Sequence, residues 1–155
     1  MTICLFHDNR SATCVFSKTD NSPVKELAFF RDQLGMTCVR EMHFEEAKFS
    51  LYFLASLPDR ISHGEDVPDC NKLFNPILEL THNHGTEHDE SFSYHNGNTD
   101  PKGFGNLVFV TPDPEQSAKT LIAAGAERVE GSGEAGVVIA SPSGYWVRLL
   151  AGGGN

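Results

Sequence analysis

The 155-residue chain is long enough to bury a hydrophobic core and short enough to form one domain. Its 21 acidic residues against 12 basic ones give a formal net charge of −9, which argues against a nucleic acid or an anionic membrane surface as partner. No apolar run reaches the length of a membrane span, and the N-terminal residues lack the features of a signal peptide. We therefore expect a soluble, acidic cytoplasmic protein.

The first half of the chain contains strand-like stretches and one helical pattern. Three stretches rich in β-branched and aromatic residues predict strands, and they span residues 13–18, 36–44 and 49–56. Ser22 followed by Pro23 predicts the start of a helix that Gly35 ends. The apolar positions of this helix are Val24, Leu27, Ala28 and Leu34.

A strand at residues 76–82 carries one acid, Glu79, between Leu78 and Leu80. A buried carboxylate is costly unless it has a partner, so Glu79 is a candidate functional residue. A long polar loop follows, and the histidines of this region are His82, His84, His88 and His95. Since their spacing matches no metal-binding motif, they indicate a solvated polar loop.

The same order of elements returns in the second half. Residues 107–111 predict a strand, and Asp113 with Pro114 predicts the start of a helix that ends at Gly125. Three further strands are predicted at residues 127–130, 136–140 and 146–150. This internal repeat predicts an α+β fold with two βαβββ modules, about residues 12–82 and 103–152, in a single domain of residues 1–155.

Several blocks of the sequence resemble glyoxalase I, the lactoylglutathione lyase family of the vicinal oxygen chelate superfamily. The blocks occur in the family's order and are FRDQLGM, EAKFSLYFLA, ILELTHNHGTE, YHNGNTDPKGFG and SPSGYWVRLL. The resemblance covers residues 12–150 and implies two modules whose mixed half-barrel sheets enclose a funnel. It also implies a homodimer in which each funnel is shared between two chains.

That family holds a metal ion with four side chains, and the resemblance assigns each of them to a position here. The Glu of the ELTHN block is present as Glu79, whereas the other three positions are Ala12, Asn106 and Arg148. A guanidinium is always protonated and only donates hydrogen bonds, so Arg148 cannot be a metal ligand. We therefore expect no divalent metal and no other cofactor.

The residues that the family uses for glutathione are also changed in part. An Arg on the first strand is replaced by Phe16, whereas Asn83 is kept and Lys102 retains a positive charge. Each lost cationic contact costs about 1.5–3 kcal/mol of binding free energy, so we do not expect glutathione to bind. The predicted substrate-binding residues are Ala12, Phe16, Asn83, Lys102, Asn106 and Trp146.

These positions predict a metal-independent isomerase, cyclase or lyase, and not a functional lactoylglutathione lyase. Its substrate would be a small, largely apolar, oxygenated metabolite of the kind made in specialised biosynthesis. Glu79 would be the general acid or base, and Arg148 would stabilise an enolate and pair with Glu79 across the two chains. Two alternatives stay open: a non-catalytic protein that binds or sequesters a ligand, and a lactoylglutathione lyase with rearranged ligands.

Overall fold

The computed structural model describes residues 3–4, 11–15, 23–57, 76–89, 91–92, 95–103, 105–133 and 135–152. Phe16 and Ser22, two residues that the sequence singled out, lie outside these ranges. Within them the chain forms nine strands and two α-helices, and the strands make two sheets. The predicted α+β fold is thus confirmed. No helix in these ranges is long and apolar enough to cross a membrane.

A four-stranded sheet is built from the first half of the chain. Its strands, from edge to edge, are β2 (Ser11–Val15), β5 (Ile77–Asn83), β4 (Phe49–Ala55) and β3 (Thr37–Phe44). The pair β2–β5 is parallel and the other two pairs are antiparallel. A turn joins β3 to β4 and is closed by a hydrogen bond from the Lys48 amide to the Glu45 carbonyl oxygen (3.2 Å).

The predicted first helix begins as an α-helix and then widens. α1 (Pro23–Leu27) continues into a π-helical segment (Ala28–Gln33), in which the Leu34 amide donates to the Phe29 carbonyl oxygen (3.0 Å). Phe29 and Phe30 are both 1% exposed. Both rings belong to the hydrophobic core.

The predicted apolar stripe of the first helix is wrong at its start. Val24 is 69% exposed, whereas its acidic neighbour Glu26 is 2% exposed. The reason is that the Glu26 carboxylate has hydrogen-bond donors in the second half of the chain, which the helical periodicity cannot show. The predicted end of the helix is confirmed, since Gly35 takes a φ of 74°, a conformation that favours glycine.

A second sheet has five strands, most of them from the second half of the chain. From edge to edge they are β1 (Ile3–Cys4), β6 (Leu107–Thr111), β9 (Trp146–Ala151), β8 (Val137–Ala140) and β7 (Glu127–Arg128). β6 and β9 are parallel, as β2 and β5 are in the first sheet. The short β1 pairs with β6, so the N-terminal residues complete the sheet of the other half.

The second helix follows its sequence signals closely. α2 (Pro114–Ala123) starts with proline, and the Asp113 side chain accepts a hydrogen bond from the Gln116 amide (2.9 Å). Gly125, with a φ of 99°, follows the last turn. Both ends of this helix are therefore fixed by local chemistry that the sequence displays.

One hydrophobic core lies between the helices and one face of each sheet. Its buried residues include Phe29, Phe30, Leu54, Leu78, Leu80, Phe109, Leu121, Ile139, Val147 and Leu149. Because side chains alternate along a strand, the residues between these positions point to the opposite faces of the sheets. Those faces are mostly half-buried in the single chain, and the predicted site residues on β5 and β9 lie on them.

Candidate functional site

The half-buried face of the first sheet carries the carboxylate of Glu79. In the strand register Glu79 lies opposite Phe53 of β4 and beside Thr13 of β2. The next pair on the same face is Leu51 with Thr81. The same row continues to Arg40 of β3, the register partner of Phe53. Glu79 is therefore an acidic group among apolar and neutral neighbours on β2, β4 and β5, a suitable position for proton transfer with a bound small molecule.

Asn83 lies on the same face as Glu79, four residues further along β5. Its register partner on β4 is Phe49. The Thr86 hydroxyl donates a hydrogen bond to the Asn83 carbonyl oxygen (2.7 Å), which fixes the chain at the end of the strand. The structure thus places two of the predicted site residues on one strand face.

Arg148 occupies the corresponding face of the second sheet. Val108 of β6 and Val138 of β8 flank it in the register, and Trp146 lies two residues earlier on the same face, opposite Ala140. Arg148 and Trp146 are half-buried. A guanidinium in apolar surroundings is suited to bind a carboxylate or an oxyanion through paired hydrogen bonds.

The other predicted site residues are more scattered. Ala12 lies beside Leu78 in the β2–β5 register, and Asn106 immediately precedes β6. Lys102 is exposed, next to a loop that a hydrogen bond from the Gly103 amide to the Gly97 carbonyl oxygen closes (3.0 Å). The four metal positions of the family are thus distributed over both sheets.

Glu79 and Arg148 lie in different sheets of the chain. Among the ion pairs and hydrogen bonds of the described residues, none joins these two side chains within one chain. The predicted pair across two chains stays a prediction, because it requires a second copy of the protein.

Two of the four histidines are held at the end of the first sheet. His82 is 7% exposed, and its Nε2 is 3.0 Å from Oε2 of Glu87, so the interpretation of a solvated loop is wrong for this residue. His84 Nε2 is 2.7 Å from the Ser50 hydroxyl, which is also 2.9 Å from Nδ1 of His43. Over the described part of the chain, no three His, Cys, Asp or Glu side chains are grouped to hold a metal ion.

The structure also contains a buried acid, Glu26, that the sequence analysis did not single out. Its Oε2 atom accepts hydrogen bonds from the Ser143 amide (3.0 Å) and the Ser143 hydroxyl (2.8 Å). Burial raises the pKa of this carboxyl from 4.5 to about 7, although hydrogen bonds from Ser141 and Ser143 lower it in part. Because Glu26 and Ser143 are 117 positions apart, no local pattern could have revealed the contact.

Two curated relatives match most of the chain. It is 38% identical over 161 aligned residues to the lactoylglutathione lyase of Pseudomonas aeruginosa, which covers 96% of this chain and 88% of that protein. It is 40% identical over 140 residues to the lactoylglutathione lyase of Pseudomonas putida, which covers 81% of this chain and 76% of that protein. No family model matches the chain.

These relatives contradict the predicted function. The prediction that the chain is not a functional lactoylglutathione lyase is wrong, because proteins of that name align with both halves of the chain. The expectations of no glutathione and no divalent metal are wrong for the same reason, since they were inferred from the same few changed positions. Of the alternatives left open, a lactoylglutathione lyase with rearranged ligands agrees best with this finding.

Solved structures place the fold in the same family. A trypanothione-dependent glyoxalase I from Leishmania major superposes with a TM-score of 0.63 over 91% of this chain and 84% of that chain, at 18% sequence identity. That likeness concerns the fold, whereas the Pseudomonas relatives show common ancestry along the sequence. The chain therefore belongs to the glyoxalase I, or lactoylglutathione lyase, family and has its vicinal oxygen chelate fold.

Proposed function

We propose that this protein catalyses the lactoylglutathione lyase reaction. In that reaction, the hemithioacetal formed from glutathione and a 2-oxoaldehyde becomes the thioester of a 2-hydroxy acid. The observation that carries the proposal is the similarity to the Pseudomonas aeruginosa enzyme along 96% of the chain. The carboxylate of Glu79 on the half-buried face of β5 supports it, because the reaction needs a base beside the substrate.

The proposed chemistry moves one proton between neighbouring carbons. A base removes the proton from the carbon that bears sulfur, and the electron pair left behind forms an enediolate with the adjacent carbonyl. A proton then returns to the adjacent carbon, and the thioester results. We assign proton removal to Glu79 and stabilisation of the enediolate oxygen to the Arg148 guanidinium, which donates charged hydrogen bonds.

The family's metal positions do not fit a metal centre in this chain. They offer the carboxylate of Glu79 and the amide oxygen of Asn106, whereas Ala12 has no donor atom and Arg148 is a cation. Catalytic metal sites typically use about three protein ligands, mostly His, Cys, Asp or Glu. We therefore derive no catalytic step through a metal.

We assign binding of the glutathione part to polar residues near the ends of the strands. Asn83 shares a strand face with Glu79, and its amide can both donate and accept hydrogen bonds. The exposed cation of Lys102 is suited to a carboxylate of the tripeptide. The Trp146 ring, beside Arg148 on β9, offers apolar surface to the rest of the adduct.

The site is proposed to form between two copies of the chain. Glu79 and Arg148 lie on separate sheets, each on a half-buried face, and their charges are opposite. A homodimer in which the Glu79 face of one copy meets the Arg148 face of the other would cover both faces and neutralise both charges. The dimer would bring base and stabilising cation into one funnel.

Sedimentation tests this assembly. We expect the mass of a dimer at micromolar concentration, and we expect Arg148→Glu to shift the protein towards monomer because it places like charges across the interface. Glu130→Arg, a charge reversal at an exposed position, serves as the control and should leave the dimer intact. A monomeric wild-type protein would contradict the shared site.

Turnover of methylglyoxal with glutathione tests the activity. We expect thioester formation above the rate without protein, followed by ultraviolet absorbance, and we expect it to require glutathione. The assay is run without metal and with added zinc or nickel, after confirming the fold by circular dichroism. Absence of turnover under all of these conditions would contradict the proposed function.

A further inference from the structure

The turn between β8 and β9 is held by hydrogen bonds within itself and from a distant loop. Inside the turn, the Gly144 amide donates to the Ser141 carbonyl oxygen (2.8 Å), and the Ser141 amide donates to the Tyr145 carbonyl oxygen (2.8 Å). From outside, the Asn96 side-chain amide donates to the Gly144 carbonyl oxygen (2.9 Å). The turn is therefore a junction between β9 and the polar loop.

Glu26 attaches the first helix to the same turn. Its Oε2 accepts both donors of Ser143, and the two residues are 2% and 6% exposed. The contact joins α1, in the first half of the chain, to the segment that precedes β9, in the second half. A buried carboxyl requires such donors, so a change in the position of Ser143 would leave it without them.

The turn leads directly into the strand that carries the proposed catalytic cation. Trp146 is the first residue of β9, and Arg148 follows two positions later. In the register Trp146 pairs with Ala140 and Arg148 pairs with Val138 of β8. Because the strand begins where the turn ends, displacement of the turn would move the start of β9 and the guanidinium with it.

We propose that Glu26 is a positioning residue that fixes the β8–β9 turn through Ser143 and thereby holds Arg148 at its place in the funnel. The hydrogen-bonded clamp stands on the observed contacts, whereas its effect on catalysis rests on the proposed function. The two hydrogen bonds that define the clamp both come from Ser143 and converge on one carboxylate oxygen of Glu26.

Amide hydrogen exchange tests the clamp without reference to activity. Glu26→Leu removes the acceptor, and we expect the Ser143 amide to exchange at least roughly ten-fold faster, as for loss of a hydrogen bond to a charged group. Glu26→Gln keeps an acceptor oxygen and should restore slow exchange. Glu127→Gln, at an exposed acid, is the matched control and should change nothing. Unchanged exchange of Ser143 in Glu26→Leu would overturn the clamp.

Steady-state kinetics test the consequence for catalysis. In Glu26→Leu we expect kcat to fall roughly ten-fold with little change in KM, because a displaced cation stabilises the transition state less than before. Glu26→Gln should recover most of that loss. A loss of kcat that equals the fraction of unfolded protein, or a rise in KM alone, would overturn the positioning role. A wild-type protein without turnover would refute the proposed function and leave the exchange result to decide the clamp.

Discussion

Glu79→Gln is expected to reduce kcat by about 10²–10⁴-fold, the range for loss of a general base. The amide cannot take a proton from carbon, whereas its size and its place on β5 remain the same. The substitution leaves the proposed substrate contacts of Asn83 and Lys102 in place, so KM should change only a few-fold. Both constants are measured for the glutathione adduct of methylglyoxal at saturating and limiting concentrations.

A matched control separates catalysis from the general effect of removing an acid. Glu46→Gln alters an exposed carboxylate in the turn between β3 and β4, several register pairs away from the pair that Glu79 makes with Phe53. This variant should keep the wild-type kcat. If Glu79→Gln also retained wild-type turnover while remaining folded, another group would have to be the base.

Features set by a few neighbouring residues were predictable from the sequence. The cap at Asp113, the proline that follows it and the glycines at the helix ends act within one turn of chain, so their chemistry is visible locally. Apart from the short β1, the strands of both sheets were located by their composition to within a few residues. Resemblance to the family then supplied the arrangement of these elements.

Features set by distant contacts were not predictable in this way. The π-helical segment places two adjacent phenylalanines in the hydrophobic core, and the buried Glu26 accepts hydrogen bonds from Ser143 in the second half of the chain. The pairing of β1 with β6 likewise joins residues about a hundred positions apart in the chain. In each case the decisive partner lies outside any local window.

The functional prediction was wrong because it relied on a few changed positions and gave too little importance to the similarity along the rest of the chain. Changes at Ala12, Asn106 and Arg148 describe which donors are absent from the family's metal site. They do not describe Glu79 and Asn83, which the resemblance to the family also assigns to the site and which are kept in this chain. Similarity to the Pseudomonas aeruginosa relative extends along 96% of the chain and so does not depend on these few positions.

Glu26→Gln is expected to flatten the pH dependence of folding stability. The pKa of this carboxyl is about 7 in the folded protein and has its ordinary value of 4.5 when the chain unfolds. The folded state therefore binds a proton that the unfolded state releases, and this contribution to the free energy of unfolding is fully present below pH 4.5. It is lost as the pH rises through about 7, a change on the order of 3 kcal/mol.

The charged neighbours of the Glu26 carboxyl do not account for its raised pKa. The groove beside the turn is bordered by Lys25 of the same helix and by Glu127 of β7, and both side chains are exposed. The shift in the pKa of Glu26 arises chiefly from burial, so a neutral amide in its place should remove the titration.

Urea unfolding between about pH 5 and pH 8 measures the effect, because the free energy of unfolding is obtained separately at each pH. Relative to wild type, Glu26→Gln should gain stability steadily across this range, by roughly 2–3 kcal/mol at the upper end. Glu127→Gln should follow the wild-type curve, because this side chain is exposed to solvent in the folded protein. Parallel curves for wild type and Glu26→Gln would contradict the proposal. They would show that the pKa of the Glu26 carboxyl is the same in the folded and unfolded states, because only a difference in pKa makes stability depend on pH.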